Sequence, residues 1–82
     1  MISEERREMF VDLYRLAEYF EAPPFQPGAY DSNADWFIHA VNDQLSPFVR
    51  KHDSPLARGL AIAILDEADR MAKEANAQQS LL

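Results

Sequence analysis

The chain contains no cysteine. Disulfide staples and thiolate metal sites are therefore excluded. Glycine occurs only twice, and the five prolines fall mostly in clusters. That balance argues against many short strands joined by glycine turns and for a few long elements with sharp stops. Basic residues are scarce, with eight Lys and Arg against fourteen Asp and Glu, for a formal net charge of −6. A protein that neutralises duplex phosphates presents a basic face, so no duplex nucleic acid partner is expected. Long hydrophobic runs are also missing. The longest uncharged apolar stretch is Gly59 to Leu65, far below the roughly 20 residues that span a bilayer, so no membrane partner is expected either. The opening residues Ile2 to Glu8 are of mixed charge and carry no secretory apolar region, which points to the cytoplasm.

What is present is apolar content, at 48% of 82 residues. This is enough for a folded core and too much for a wholly disordered chain. At this size one core gives a thin stability margin, and unstapled small chains often gain stability by self-association.

The apolar residues recur with helical spacing in three stretches. Ser3 offers an N-cap, with Glu4 and Glu5 in the first turn, where the helix dipole favours acids. Met9, Phe10, Leu13, Leu16, Ala17 and Phe20 then mark one face, and Pro23-Pro24 ends the run. The spacing predicts a first helix over 3–21. Ala22 to Asp31 reads as an ordered loop. Pro27-Gly28 suits the central places of a type II turn, and Phe25 and Tyr30 are expected to anchor the loop on the helices. Ser32, with Asp35 three residues on, resembles a capping box and predicts a second helix over 32–46. Pro47 should break or kink it, leaving a short turn at 47–51. Ser54-Pro55 predicts a third helix over 55–76, with a frayed tail at 77–82. The fold class that follows is all-α. It is a single three-helix domain spanning 1–82, in which the last two helices form an antiparallel hairpin and the first packs across it through the Pro-rich loop.

The first half of the third helix is apolar almost all round, which normally means burial on every side. Gly59, Leu60, Ile62, Ala63 and Leu65 are therefore assigned to a homo-oligomer contact, a dimer or larger, with Gly59 permitting close approach. Asp66–Arg70 and Asp69–Lys73 are expected as helical ion pairs.

Four constellations bear on chemistry. Arg50, Lys51, His52 and Arg58 place the densest positive charge beside a helix start, where free amides attract anions. A nucleotide or other small anion could dock there, or Arg50 and Lys51 could simply complement the negative end of the preceding helix. Asp35, His39 and Asp43 form a column at i, i+4 and i+8, but no zinc-type ligand set is complete, so no metal is assigned. Glu4-Glu5-x-x-Glu8 resembles the carboxylate cluster of helical magnesium pyrophosphatases. That resemblance implies a second acidic cluster, for which only Asp66, Glu67 and Asp69 offer themselves. Acids in a first turn are also the ordinary case. Ser and His are present without a nucleophile elbow, so no catalytic residue is assigned.

The reading reached is a non-enzymatic, acidic helical binding protein without a cofactor, acting as inhibitor, regulator or adaptor of a protein with a basic surface. Its economy would suit a bacterial or phage-encoded inhibitor. The candidate partner face is Tyr30, Asp31, Asp35, Trp36 and Asp43, since aromatic residues are enriched at hot spots. The competing readings are an oligomeric binder of a small anion and a magnesium-dependent hydrolase.

Overall fold

A computed structural model describes residues 2–80, with side chains described as far as Ala77. Every regular element among the described residues is helical. Helix α1 spans Glu4–Phe20, α2 Tyr30–His39, α3 Ser46–His52 and α4 Pro55–Ser80, and a π-helical segment, Ala40–Leu45, joins α2 to α3. The all-α, three-rod expectation holds, since α2, the π segment and α3 form one continuous rod.

Two of the three expected caps are in place. Ser3 Oγ accepts from the Arg6 amide at 3.1 Å, and Ser54 Oγ accepts from the Ala57 amide at 3.1 Å. Each satisfies an amide that the first helical turn leaves without a partner. The third expectation is corrected. α2 begins at Tyr30 with Ala29 as its uncapped N-cap residue, so Ser32 lies inside the first turn.

Asn33 takes over the work at this end. Its buried side chain accepts from the Gln26 amide at 3.3 Å and donates to the Gln26 carbonyl at 3.1 Å. The same carbonyl accepts from Ala29 N–H at 3.2 Å. That bond closes the four-residue turn across Pro27-Gly28, where Gly28 has φ 78°, the left-handed value that a type II turn requires at its third place. The Asn33→Ala variant is expected to lose about 1 kcal/mol, the worth of the loop bonds it removes. Urea unfolding followed by circular dichroism would measure it.

Pro47 does not stop the second rod, contrary to the expected break and separate turn at 47–51. Proline has no amide to give, and its ring crowds the carbonyl four residues back. Just before it the backbone widens, and Ser46 N–H bonds to Val41 O, five residues back. Spacing explains why a wider turn fits. Seven residues separate Asn33 from Ala40, both buried, but eight separate Ala40 from Phe48, also buried. At about 100° per residue, eight α-helical steps would swing Phe48 about 80° off the inner face. The π segment takes up the extra residue, and Phe48 stays on the core side.

The rod ends at Asp53, whose φ of 22° turns the chain and whose amide bonds to Val49 O at 2.8 Å. Only Asp53 and Ser54 lie between α3 and α4, so α4 returns antiparallel along the rod. At the far end Gly28 N–H reaches Asn76 Oδ1 at 3.5 Å. Helix α4 is longer than its apolar spacing predicts and continues through 77–80, where a frayed tail was expected. The remainder of that tail, 81–82, lies outside the described residues.

The core is thin. Its buried members include Met9, Leu16, Phe20, Leu45 and Phe48, and five of the others are the alanines Ala40, Ala57, Ala61, Ala68 and Ala72. No large side chain is fully buried among the described residues. Small residues let α4 approach its neighbours closely, at the cost of little apolar payload per residue.

Candidate functional site

Trp36 lies at the centre of a ring cluster rather than on a free surface. Tyr19 stacks on it at 5.6 Å, and Phe20, Phe25 and Phe37 meet it edge-on at 5.2, 5.0 and 5.4 Å. Offset and edge-to-face contacts at these separations are favourable. The cluster joins the end of α1, the loop and α2, so Phe25 anchors the loop as expected. Tyr30 does not, because its side chain is exposed.

Of the candidate partner face, Tyr30, Asp31, Asp35 and Asp43 are exposed and Trp36 is half-buried. Asp31, Asp35 and Ile38 recur at helical spacing on the outer side of α2. Ile38 stands there with 55% of its surface open, and Tyr30, 62% open, opens the same helix about 100° round from Asp31. Neither Asp31 nor Asp35 makes an ion pair among the described residues. Ile38 belongs to this face although its apolar character reads, in sequence, as an extension of the core stripe. A helical-wheel view, which places it about 20° from Asp31 and opposite Asn33 and Ala40, would have found it.

His39 Nδ1 lies 3.2 Å from Asp43 Oδ2, and both side chains are open to water. Asp35 does not join them, and no group of three or more His, Asp or Glu that could hold a metal occurs among the described residues. The paired acidic clusters implied by the pyrophosphatase resemblance are therefore not assembled.

Three of the four residues of the basic island, Lys51, His52 and Arg58, are taken up by acids of their own chain. Lys51 Nζ lies 3.0 Å from Glu8 and 2.9 Å from Asp12, and His52 Nε2 lies 2.8 Å from the same Asp12 oxygen that meets Lys51. The His52 side chain is only 8% exposed and that of Asp12 18%. The Lys51 hydrogen bond, followed by that from His52, holds the Asp12 carboxyl below the usual aspartate range, and Asp12 in turn raises the Lys51 ammonium. Arg58 pairs with Asp53 at 3.3 Å. Arg50 makes no ion pair among the described residues. Arg50, Lys51 and His52 occupy the last turn of α3, where positive charge complements the helix dipole. Glu8 and Asp12 are the partners that local reading missed, because they lie about 40 residues upstream.

The proposed oligomer patch divides. Ile62 is 60% exposed and lines an open groove with Val41, Leu45, Val49, Arg50 and Leu65. Leu60 is half-buried against the core. Gly59 and Ala63 are exposed. A side chain at Gly59 would meet nothing within 4 Å in its own chain. Asp69–Lys73 forms at 2.9 Å as expected. The expected Asp66–Arg70 pair does not, since Arg70 pairs with Glu67 and with Glu74 instead. No helix among the described residues is long and apolar enough to cross a membrane.

No family model matches the chain, and no curated protein or solved structure matches it.

Proposed function

We propose that this chain is a non-enzymatic binding protein of the cytoplasm, an inhibitor, regulator or adaptor that covers a basic surface of a protein partner with the outer side of α2. The observation that carries this reading is the composition of that side. An exposed apolar residue, Ile38, stands beside two carboxylates, Asp31 and Asp35, that no cation of the described chain neutralises, and exposed Tyr30 opens the same helix. Interfaces of this kind gain affinity from desolvating the apolar groups and gain rate and selectivity from the charges. The ring cluster beneath α2 fixes the face before binding, which lowers the ordering cost. A small-anion site gains less support, because Lys51, His52 and Arg58 already have carboxylate partners.

Immobilised native chain is expected to capture a basic protein whose retention falls as salt is raised. The Asp31→Lys/Asp35→Lys variant should weaken that capture at least about tenfold, with its helical circular dichroism intact. Equal capture by native and variant chains would refute the assignment of this face. So would a dose-dependent rise in melting temperature with nucleotides and no protein captured at all.

A further inference from the structure

The inner side of the molecule carries a second surface, separate from the outer side of α2. Two openings of about 320 and 390 Å³ lie between the α2–α3 rod and α4. They share Val41 and Leu65, so they form one apolar trough, which runs from Val49 and Ile62 at one end to Phe37 at the other. Its ends carry opposite charge. Arg50 closes the first, and Asp66 and Asp69 close the second. Asp69 is already held by Lys73 at 2.9 Å. Arg50 and Asp66 make no ion pair among the described residues.

We propose that a second copy of this chain fills the trough, related by a two-fold axis near Leu45 and Ile62, so that each copy's Arg50 meets the other's Asp66. A two-fold interface must be complementary to itself. A trough with an unpaired cation at one end and, at the other, a carboxylate that makes no close ion pair and only feels Lys73 at a distance meets that condition when its ends are exchanged. Ile62, 60% exposed, then lies beside the axis and packs into the groove that Leu45, Val49 and Leu65 line on the other copy. The chain is open for its size. It exposes 5891 Å², against about 5,000 Å² for a compact monomer of its mass, and it is elongated, 52 Å long and 22 Å by 19 Å across. The radius of gyration, 14.6 Å, likewise exceeds the roughly 12 Å expected of a compact domain of this length. Pairing along the trough would convert a thin three-rod layer into a bundle with a second apolar layer.

Sedimentation velocity on the full chain tests this. The native protein should run at twice the 9.4 kDa chain mass at concentrations of about 100 µM and below. Ile62→Glu and Arg50→Asp should each raise the dimer dissociation constant about tenfold or more, with helical circular dichroism unchanged. The doubly reversed variant, Arg50→Asp/Asp66→Arg, should recover the dimer, because both exchanged pairs are rebuilt with their signs swapped. Asp31→Lys/Asp35→Lys should leave the dimer intact, so failure of the partner face and failure of this interface are separable. A native chain that stays monomeric at about 100 µM would overturn the proposal and leave the trough to a different helix. A dimer indifferent to Ile62→Glu would overturn it too, and a double variant that stays monomeric would overturn the Arg50–Asp66 exchange.

Discussion

Replacing Trp36 by alanine is expected to destabilise the chain by about 3–4 kcal/mol, the lower part of the range for aromatic truncation, because the half-buried site is open on one side. The indole contacts four other rings contributed by three separate stretches, the end of α1, the loop and α2. Its removal leaves a void bordered by Phe20, Phe25 and Phe37 that no neighbouring methyl can fill. The total stability of a domain of this length is only about 4–12 kcal/mol, so the variant should sit near its unfolding threshold at ordinary temperature. Thermal melts followed by circular dichroism would measure the loss, since the variant has no tryptophan to report by fluorescence. Trp36→Phe keeps most of the edge contacts and should retain more than half of the lost stability. A melting temperature unchanged by Trp36→Ala would mean that the ring cluster does not hold the loop.

The second large effect is expected at Asp12. Asp12→Ala removes the shared partner of His52 and Lys51 and should cost about 1–2 kcal/mol. Most of that comes from stranding the largely enclosed His52, because the exposed Lys51 contact is worth little on its own. The contact also has a defined pH signature. The folded-state pKa of Asp12 is depressed below its unfolded value. Its contribution is therefore fully present above the ordinary aspartate range and is lost as pH falls through the depressed folded value. Urea midpoints measured from neutral to strongly acid pH should fall more steeply for the native chain than for Asp12→Asn, which has no charge to lose. Parallel curves for the two proteins would show that the carboxylate contributes nothing through its ionised form.

The ends of the helices were legible wherever a local signal decided them. Ser3 and Ser54 cap because a hydroxyl three residues before an unpaired amide is a property of the immediate chain. Pro27-Gly28 turned as read for the same reason. Reading failed where a distant or competing partner intervened. Ser32 lost its role because Asn33 ties down Gln26 and the helix starts two residues earlier. Lys51 and His52 looked free because Glu8 and Asp12 are remote in sequence and adjacent in space, whereas Arg50 does stay unpaired among the described residues. Arg70 chose Glu67 and Glu74 over Asp66, a choice among several neighbours at helical spacing that periodicity does not rank. Trp36 and Tyr30 exchange emphasis on the same grounds. Both are amphipathic, and only the positions of Tyr19, Phe20 and Phe25 decide which of them turns inward.

The wide turn before Pro47 sets the rotational phase between the two halves of the second rod. Excising one residue from its water-facing side, such as Asn42, would leave composition and charge almost untouched but return that stretch to ordinary helical winding. Phe48 would then stand seven ordinary helical steps from Ala40, within about 20° of its present direction, so the shortened rod should keep Phe48 and Trp36 on the same side and tolerate the loss. Straightening the wide turn without removing a residue would instead swing Phe48 and His52 about 80° away from the core: the bulge is the fold's accommodation of one residue that the inner face does not use.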